Sequence, residues 1–307
     1  MRRHKIMKLG LIGLGNMGHH FGNRFIAAGH ELVVFDNNPQ ALARLQQKGA
    51  RVAASAQAMA DEVEFVLLCL PMPSIVQSVV QGSEGVMHGK AVKIIVDLST
   101  TGPSVTDAVA ASVAAKNIQW VGSPVSGGTT GAEKGTLTLM ASGPSSAFEQ
   151  AKPLLSVLGT NIFYLGEQPS LGQTMKIINN TLCAVNIVAS CETLVYGAKA
   201  GLDAKTMLDV INVSSGRSFI TQEKVPQCIL NREFPTRFTT DLLHKDIKLC
   251  IEEAEKLGVP MTVSPAARQF LSFAIGQGDG PKDYANIIKH IEGWAGAEFG
   301  ASASKAG

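Results

Sequence analysis

Lys176 is the residue whose setting most suggests chemistry. It is one of three charged residues in the apolar segment from Leu171 to Ala200. Burying a charged group in such a segment costs free energy unless the group has a partner or a chemical role. Burial and a nearby cation both lower the pKa of a lysine, which can then act as a general base toward a hydroxyl or as a general acid in the reverse direction. The alternative is a lysine at the protein edge that keeps its head in water.

Four other polar or charged residues after Lys176 are candidates for a role. Asn180 lies four residues later, on the same face of a helix, where it could hold a substrate oxygen or carboxylate. Asn179 lies on a different face, which favours a structural role. Lys245 and Asp246 belong to a second helical segment, where a surface ion pair is an equal alternative to a functional role.

A loop that could bind a carboxylate precedes this helix. The segment Gly122 to Gly128 is rich in hydroxyls and in unencumbered amides, and it offers Ser126, Gly127 and Gly128. Backbone N–H groups in such a loop can surround an anion. A plain flexible turn is the alternative.

The amino-terminal region carries a dinucleotide-binding pattern. An apolar strand leads into a turn and then a helix, and the turn reads Gly13-Leu14-Gly15-Asn16-Met17-Gly18. The first glycine permits a tight turn, the second allows the backbone to approach a pyrophosphate, and the third allows close packing of helix and strand. The free N–H groups and dipole of the helix then face the phosphates.

Asp36 strengthens this interpretation. It ends the second predicted strand, where a carboxylate can accept hydrogen bonds from the ribose hydroxyls of the adenosine. It would repel a 2′-phosphate, and Asn37 and Asn38 supply no cation, so NAD is favoured over NADP. A glycine-rich turn followed by a capping aspartate is the alternative.

Two further strand ends are expected beside the dinucleotide. They are the segments Leu70-Pro71-Met72-Pro73 and Asp97-Leu98-Ser99-Thr100. Ligands of open α/β sheets bind outside the carboxyl ends of the strands, which places Leu70, Pro71 and Thr100 near the cofactor. Each segment could also be an ordinary turn, since proline rigidifies any loop.

The order of elements predicts an α/β amino-terminal Rossmann domain, with a doubly wound and mostly parallel sheet, followed by an all-α carboxyl-terminal domain. We place the first domain at 1–168, the helical domain at 169–300 and a frayed tail at 301–307. Predicted strands are 9–13, 32–36, 65–70 and 94–98, extended by 119–121 and 136–141; predicted helices are 17–28, 40–47, 145–158, 171–200, 203–212, 240–257 and 265–276.

Composition excludes several classes of protein. A net charge of +2 over 307 residues gives no basic field for nucleic acid or an anionic membrane. Five widely spaced cysteines suggest neither a disulfide framework nor a zinc site, and we predict no metal. The basic start lacks a signal-peptide cleavage site, and the segment Ile177 to Cys191 is too short and too polar for a bilayer span. A cytoplasmic protein with small-molecule partners is expected.

Five ordered motifs resemble the β-hydroxyacid dehydrogenases, the family of 3-hydroxyisobutyrate dehydrogenase and tartronate semialdehyde reductase. The similarity runs from about Lys8 to Glu292 and covers the segments 13–18, 97–100, 124–128, 172–180 and 245–246. Two departures are Gly122-Ser123, where the family often has Asp-Ala, and Ser170, where it often has glycine.

The resemblance implies roles for individual residues. Lys176 would be the catalytic acid/base, Thr100 would lie at the nicotinamide and Lys245 would close over cofactor or substrate. The substrate would be bound by Ser126, Gly127, Gly128 and Asn180. The resemblance also implies a homodimer or homotetramer joined through helices.

The predicted activity is hydride transfer between a nicotinamide and a small 3-hydroxy carboxylate or its semialdehyde. Two alternatives stay open at this stage. One is an imine reductase on the same scaffold, against which Lys176 argues because an acidic or aromatic donor commonly replaces the lysine there. The other is a dinucleotide-binding regulatory protein without catalysis.

Overall fold

The computed structural model describes residues 6–300. Contacts divide the chain into two units, Met1–Ile177 and Ile178–Gly307. This boundary falls inside a long helix, whereas the sequence places it at 168, before that helix begins. The basic start and the tail predicted at 301–307 lie outside the described residues.

The first unit contains a sheet of six parallel strands in the order β3-β2-β1-β4-β5-β6. The strands are β1 (Lys8–Ile12), β2 (Glu31–Phe35), β3 (Arg51–Val52), β4 (Phe65–Leu68), β5 (Ile94–Asp97) and β6 (Gln119–Gly122). Strands β4 and β5 are buried along their whole length, as expected of a parallel sheet covered on both faces. The chain order reverses between β1 and β4, so their carboxyl ends form the switch point at which such sheets bind ligands.

A separate sheet of three strands follows. It contains β7 (Val125–Ser126), β8 (Leu137–Ala141) and β9 (Gly159–Tyr164) in that order. The prediction that 136–141 extends the parallel sheet was therefore wrong: β8 pairs antiparallel with β7 and parallel with β9. A short apolar run predicts a strand, but its partners depend on contacts that are distant in sequence.

Seven helices connect these strands, namely α1 (Gly18–Ala27), α2 (Pro39–Gln46), α3 (Ala56–Ala60), α4 (Pro73–Gln81), α5 (Pro103–Ala114), α6 (Gly128–Lys134) and α7 (Ser145–Leu158). Side chains cap two of them. Asn38 accepts the N–H of Gln40 at the start of α2, and Ser55 accepts that of Ala58 at the start of α3. Pro73 and Pro103 occupy first helical positions, where the missing N–H is not needed.

The rest of the described chain is helical, beginning with α8 (Leu171–Lys199) and continuing with α9 (Ala204–Asn212), α10 (Thr240–Lys256), α11 (Ser264–Ala274) and α12 (Ile288–Ala295). Asp203 caps α9 by accepting the N–H of Thr206. A π-helical segment at Ile220–Ile229, with Pro226 inside it, was not predicted. An α/β half followed by an all-α half confirms the predicted fold class.

Helix α8 is the single described helix that is long and apolar enough to cross a membrane, judged by length and composition. The core helix of a soluble protein passes the same test. Within the second unit, α8 supplies Ala184, Ile187, Cys191 and Leu194 to the apolar core. Burying a leucine or isoleucine side chain contributes about 1.5–3 kcal/mol, so these contacts account for the apolar sequence.

An ion cluster in the second unit should make stability depend on pH. Asp279 accepts hydrogen bonds from Lys282 Nζ at 2.7 Å and from His290 Nε2 at 2.8 Å. Burial raises the pKa of Asp279, but the hydrogen bonds from Lys282 and His290 outweigh it, and the net pKa is lowered from 3.8. The stabilisation is therefore complete above that value and is lost as the pH falls through the lower pKa of the folded state.

We expect Asp279→Asn to be less stable near neutral pH and to lose stability less steeply in acid. The check is the free energy of unfolding in urea between about pH 6 and pH 3. Exposed Asp209 on α9 offers the matched control, Asp209→Asn. Equal pH slopes for Asp279→Asn and the unaltered protein would contradict the assignment.

Candidate active site

The predicted dinucleotide turn lies between β1 and α1. Gly13 has a φ of +90°, which favours glycine, and a Cβ there would collide with the carbonyl oxygen of Cys69. A Cβ at Gly18 would collide with the carbonyl oxygen of Gly13. Gly15 has nothing within 4 Å of its Cβ position, and it is exposed together with Asn16.

The geometry of this turn fits a pyrophosphate. Helix α1 begins after Met17 without a capping side chain. Backbone N–H groups at such a helix end, together with the positive end of the helix dipole, favour an anion. The open surface at Gly15 gives a phosphate direct access to the backbone.

Asp36 lies immediately after β2 and is fixed by the same turn. Its carboxylate accepts the N–H of Leu14 at 2.6 Å and the N–H of Asn38 at 2.7 Å. A carboxylate has about four acceptor positions, so two backbone bonds leave capacity for ribose hydroxyls. The structure thus brings together the glycine turn and the acid that the sequence analysis paired.

Cys69 follows β4 beside the turn and is half-buried. Desolvation of its thiol, helped by nearby Asp97, raises the pKa to about 12, against an opposing hydrogen bond from the Gly18 backbone. The neutral thiol is therefore the form present at physiological pH. Sulfur in this position fills space against the turn rather than acting as a nucleophile.

The loops after β4 and β5 are joined by hydrogen bonds. The N–H of Leu70 donates to Ser99 Oγ at 2.9 Å, and the N–H of Ser99 donates to the buried Asp97 carboxylate at 2.9 Å. Pro71 is exposed, and Thr100 is half-buried at the end of this network. The two strand ends therefore lie together, as the topology predicts.

Gln173 is a residue that the sequence analysis missed. Its side chain is fully buried, accepts the N–H of Thr101 at 3.0 Å and donates to the carbonyl of Ser99 at 2.9 Å. The sequence offered one sign of its role. Gln173 is a polar residue three positions before Lys176, so the two side chains are neighbours on the helix surface.

The predicted carboxylate loop joins the small sheet to α6. Ser126 is half-buried in β7, opposite Thr138 of β8. Gly127 and Gly128 have φ angles of +121° and +61°, both in the region that favours glycine. Helix α6 begins at Gly128 without a capping side chain.

The two departures from the family pattern lie at one place. A Cβ at Gly122 would stand 2.6 Å from the carbonyl oxygen of Pro169, next to Ser170. Ser142 Oγ donates to that same carbonyl at 2.8 Å and accepts the N–H of Gly172 at 2.8 Å. Gly122 therefore makes room for the segment that starts α8, and Ser170 belongs to that segment.

Lys176 lies in the second turn of α8, within the first unit, and its side chain is 9% exposed. This burial does not fit a lysine that extends its head into solvent. The same unit contains the glycine turn, Asp36, Thr100 and Ser126.

Asn180 and Lys245 lie in the second unit and share Asp246 as a partner. Asn180 Nδ2 donates to Asp246 Oδ2 at 2.5 Å, and Lys245 Nζ lies 3.0 Å from Asp246 Oδ1. Asn179 donates to Asn180 Oδ1 at 3.1 Å, a structural contact. Asp246 is 2% exposed and Lys245 is 11% exposed, so this is not a surface ion pair.

Residues 6–300 contain no group of three or more His, Cys, Asp or Glu side chains that could hold a metal ion.

Comparison with known proteins places these motifs in a family. Residues 8–166 match the NAD-binding domain of 6-phosphogluconate dehydrogenase, and residues 170–291 match the NAD-binding region of NADP-dependent 3-hydroxyisobutyrate dehydrogenase. The chain is 36% identical to 2-(hydroxymethyl)glutarate dehydrogenase from Eubacterium barkeri over 95% of its own length and 97% of that protein.

Solved structures agree with this match. 3-Hydroxyisobutyrate dehydrogenase from Salmonella typhimurium superposes with a TM-score of 0.82 at 30% identity, over 92% of this chain and 99% of that one. The imine reductase of Streptomyces aurantiacus superposes with a TM-score of 0.63 at 19% identity over 92% and 99%, which shows a shared fold alone. The chain therefore belongs to the family of hydroxyacid dehydrogenases that includes 3-hydroxyisobutyrate dehydrogenase.

Proposed function

We propose that this protein transfers a hydride reversibly between NAD and a small 3-hydroxy carboxylate or the matching semialdehyde. The observation that carries the proposal is the buried Lys176, in the unit that also contains the dinucleotide turn. The similar proteins named for 2-(hydroxymethyl)glutarate and 3-hydroxyisobutyrate support this class of substrate, since both compounds are hydroxyacids.

We propose that the cofactor is bound by the turn from Gly13 to Gly18, including Asn16 and Met17, with Asp36 at the adenosine ribose. Leu70, Pro71 and Thr100 would flank the nicotinamide end, and Lys245 would close over cofactor or substrate. NAD supplies or accepts the hydride at C4 of its nicotinamide. Preference for NAD over NADP rests on Asp36, whose negative charge would face a 2′-phosphate.

The substrate carboxylate is assigned to Ser126 and to the amides of Gly127 and Gly128. A hydroxyl and two glycine amides can donate to carboxylate oxygens without steric interference from side chains. Asn180 is assigned to the reacting oxygen, which its amide can polarise. Fixed reactants replace a bimolecular encounter with an oriented complex, which contributes a large part of the rate.

Lys176 is assigned to the proton. During oxidation its neutral amine accepts the proton of the substrate hydroxyl as the hydride leaves the same carbon. During reduction its ammonium returns a proton to the oxygen. Lys176 thus accepts and returns the proton in the two directions, and this proton transfer requires no metal and no covalent intermediate.

The experiment that tests the function follows NADH and NADPH absorbance across a panel of 3-hydroxy acids and semialdehydes. We expect turnover with at least one three- to six-carbon member and a higher kcat/KM with NAD than with NADP. Imines belong in the same panel, because turnover of imines alone would favour the imine reductase alternative. No turnover combined with tight NADH binding would favour a regulatory protein.

We also propose that the protein is a homodimer or homotetramer joined through helix α8. One face of this helix exposes apolar side chains at Met175, Ile178, Leu182 and Tyr196; the first three are spaced three and four residues apart, and Tyr196 lies fourteen residues after Leu182. An apolar stripe in water is typical of a surface that another chain covers. A cytoplasmic location stays a prediction, supported by the five free cysteines.

Leu182→Glu should shift the assembly toward the monomer, because it places a charge in the apolar stripe at a residue that is 59% exposed. Size-exclusion chromatography with light scattering gives the mass of each species. Leu257→Glu is the matched control, since Leu257 is an exposed leucine outside α8. A monomeric unaltered protein, or an unchanged mass in Leu182→Glu, would contradict the assignment.

A further inference from the structure

We propose that Gln173 is a positioning residue for hydride transfer, which holds the nicotinamide-facing loop at Thr100 in a fixed place relative to Lys176. The inference rests on the proposed function for its catalytic consequence. Its structural part stands on contacts within the first unit alone.

The side-chain amide of Gln173 bonds to both peptide groups that flank Thr100. Its Oε1 accepts the N–H of Thr101 at 3.0 Å, and its Nε2 donates to the carbonyl of Ser99 at 2.9 Å. A glutamine thereby takes the place of a neighbouring β-strand, which would make the same pair of bonds. The amide is fully buried, so water does not compete for either bond.

Thr100 is the most exposed residue of the loop from Leu98 to Thr101. Leu98, Ser99 and Thr101 are each less than 5% exposed. Thr101 Oγ1 pairs with Thr106 Oγ1 at 2.7 Å, and the N–H of Ser99 bonds to Asp97. Thr100, in contrast, is half-buried, which suits a side chain that meets a ligand.

Gln173 is linked to Lys176 by helix geometry. The two residues are three positions apart in α8, and an α-helix is rigid over less than one turn. The start of α8 is itself fixed, because the N–H of Gly172 donates to Ser142 Oγ at 2.8 Å and a Cβ at Gly172 would collide with the carbonyl of Met140. Movement of the Thr100 peptides relative to the Lys176 backbone therefore requires breaking the Gln173 bonds.

This connection has a chemical consequence. Hydride transfer requires the donor and acceptor carbons to approach closely, while the proton carrier stays within reach of the oxygen. A misplacement of about 1 Å by a residue remote from the chemistry can reduce the rate about 100-fold. A glutamine side chain is long enough to reach both peptide groups, and its amide carries a donor and an acceptor side by side.

The test uses Gln173→Met, which keeps the length of the side chain and removes both hydrogen bonds. We expect single-turnover hydride transfer to slow by about 10- to 100-fold, with the Kd for NADH changed less than about threefold. The amide hydrogen of Thr101 should exchange with solvent at least about tenfold faster. The primary isotope effect with NADH deuterated at C4 should become more temperature-dependent, which a loss of stability alone would not produce.

Two further variants keep the result interpretable. Gln173→Glu retains the length and the acceptor but replaces the donor with a carboxylate facing the Ser99 carbonyl, so we expect it to show the same defects if Gln173→Met does not fold. Gln150→Met, at an exposed glutamine on α7, should leave all four measurements unchanged.

The proposal would be overturned if the amide hydrogen of Thr101 exchanged at an unchanged rate in a folded Gln173 variant. It would also be overturned if that exchange became faster while the rate of hydride transfer stayed the same. If the unaltered protein turns over no hydroxyacid, the proposed function fails, and the exchange rate at Thr101 still decides whether Gln173 fixes the loop.

Discussion

Lys176→Ala is expected to lower kcat by about 100- to 10,000-fold while NADH still binds, because positioned acid–base catalysis contributes about that factor. The turn and Asp36 that are assigned to the cofactor belong to other elements of the first unit, so cofactor affinity should change little. The measurement is steady-state turnover on the best hydroxyacid of the panel, with the Kd for NADH obtained from fluorescence.

Lys176→Arg separates proton transfer from charge. Arginine retains the positive charge but does not release its proton in a protein, so this variant should be as inactive as Lys176→Ala. Lys199→Ala, at the exposed end of the same helix, is the matched control and should keep normal turnover. Near-normal activity in Lys176→Ala would rule out the assigned mechanism.

Asp36→Asn is expected to reduce the preference for NAD over NADP by about 10- to 100-fold, measured as the ratio of the two kcat/KM values. The substitution keeps the size of the side chain and removes the charge that would repel a 2′-phosphate. Hydrogen bonds to a charged acceptor contribute about 1.5–3 kcal/mol, so the affinity for NADH should fall as well.

A structural effect must be distinguished from this change in selectivity. The Asp36 carboxylate also accepts the N–H groups of Leu14 and Asn38, so the variant should unfold at a slightly lower temperature. Glu149→Gln, at an exposed acid on α7, controls for the loss of one negative charge. An unchanged cofactor ratio would show that NAD is not selected by Asp36.

The sequence predicted features that depend on local patterns. The glycine turn requires particular backbone angles, and Asp36 follows a strand of known length, so both could be located before the structure. The parallel arrangement of β1, β2, β4, β5 and β6 follows from the alternation of strands and helices, whereas the two-residue strand β3 was not predicted. The helix containing Lys176 was predicted from its length and apolar composition.

Features that depend on distant partners were not predicted. The strand at Leu137–Ala141 has a clear pattern, but nothing local indicates that it pairs with β7 and β9. Gln173 looks like an ordinary polar residue, because its partners lie about 70 residues earlier. The glycine at 122 and the serine at 170 became understandable once both were found beside the Pro169 carbonyl.

The environment of Cys69 bears on how this protein tolerates its own substrates. Aldehydes are electrophiles, and a thiolate beside the cofactor turn would add to them and block the site. A thiol with a pKa of about 12 contributes almost no thiolate at physiological pH. The same desolvation that packs sulfur against the glycine turn should therefore protect the protein from inactivation by semialdehydes and by mild oxidants.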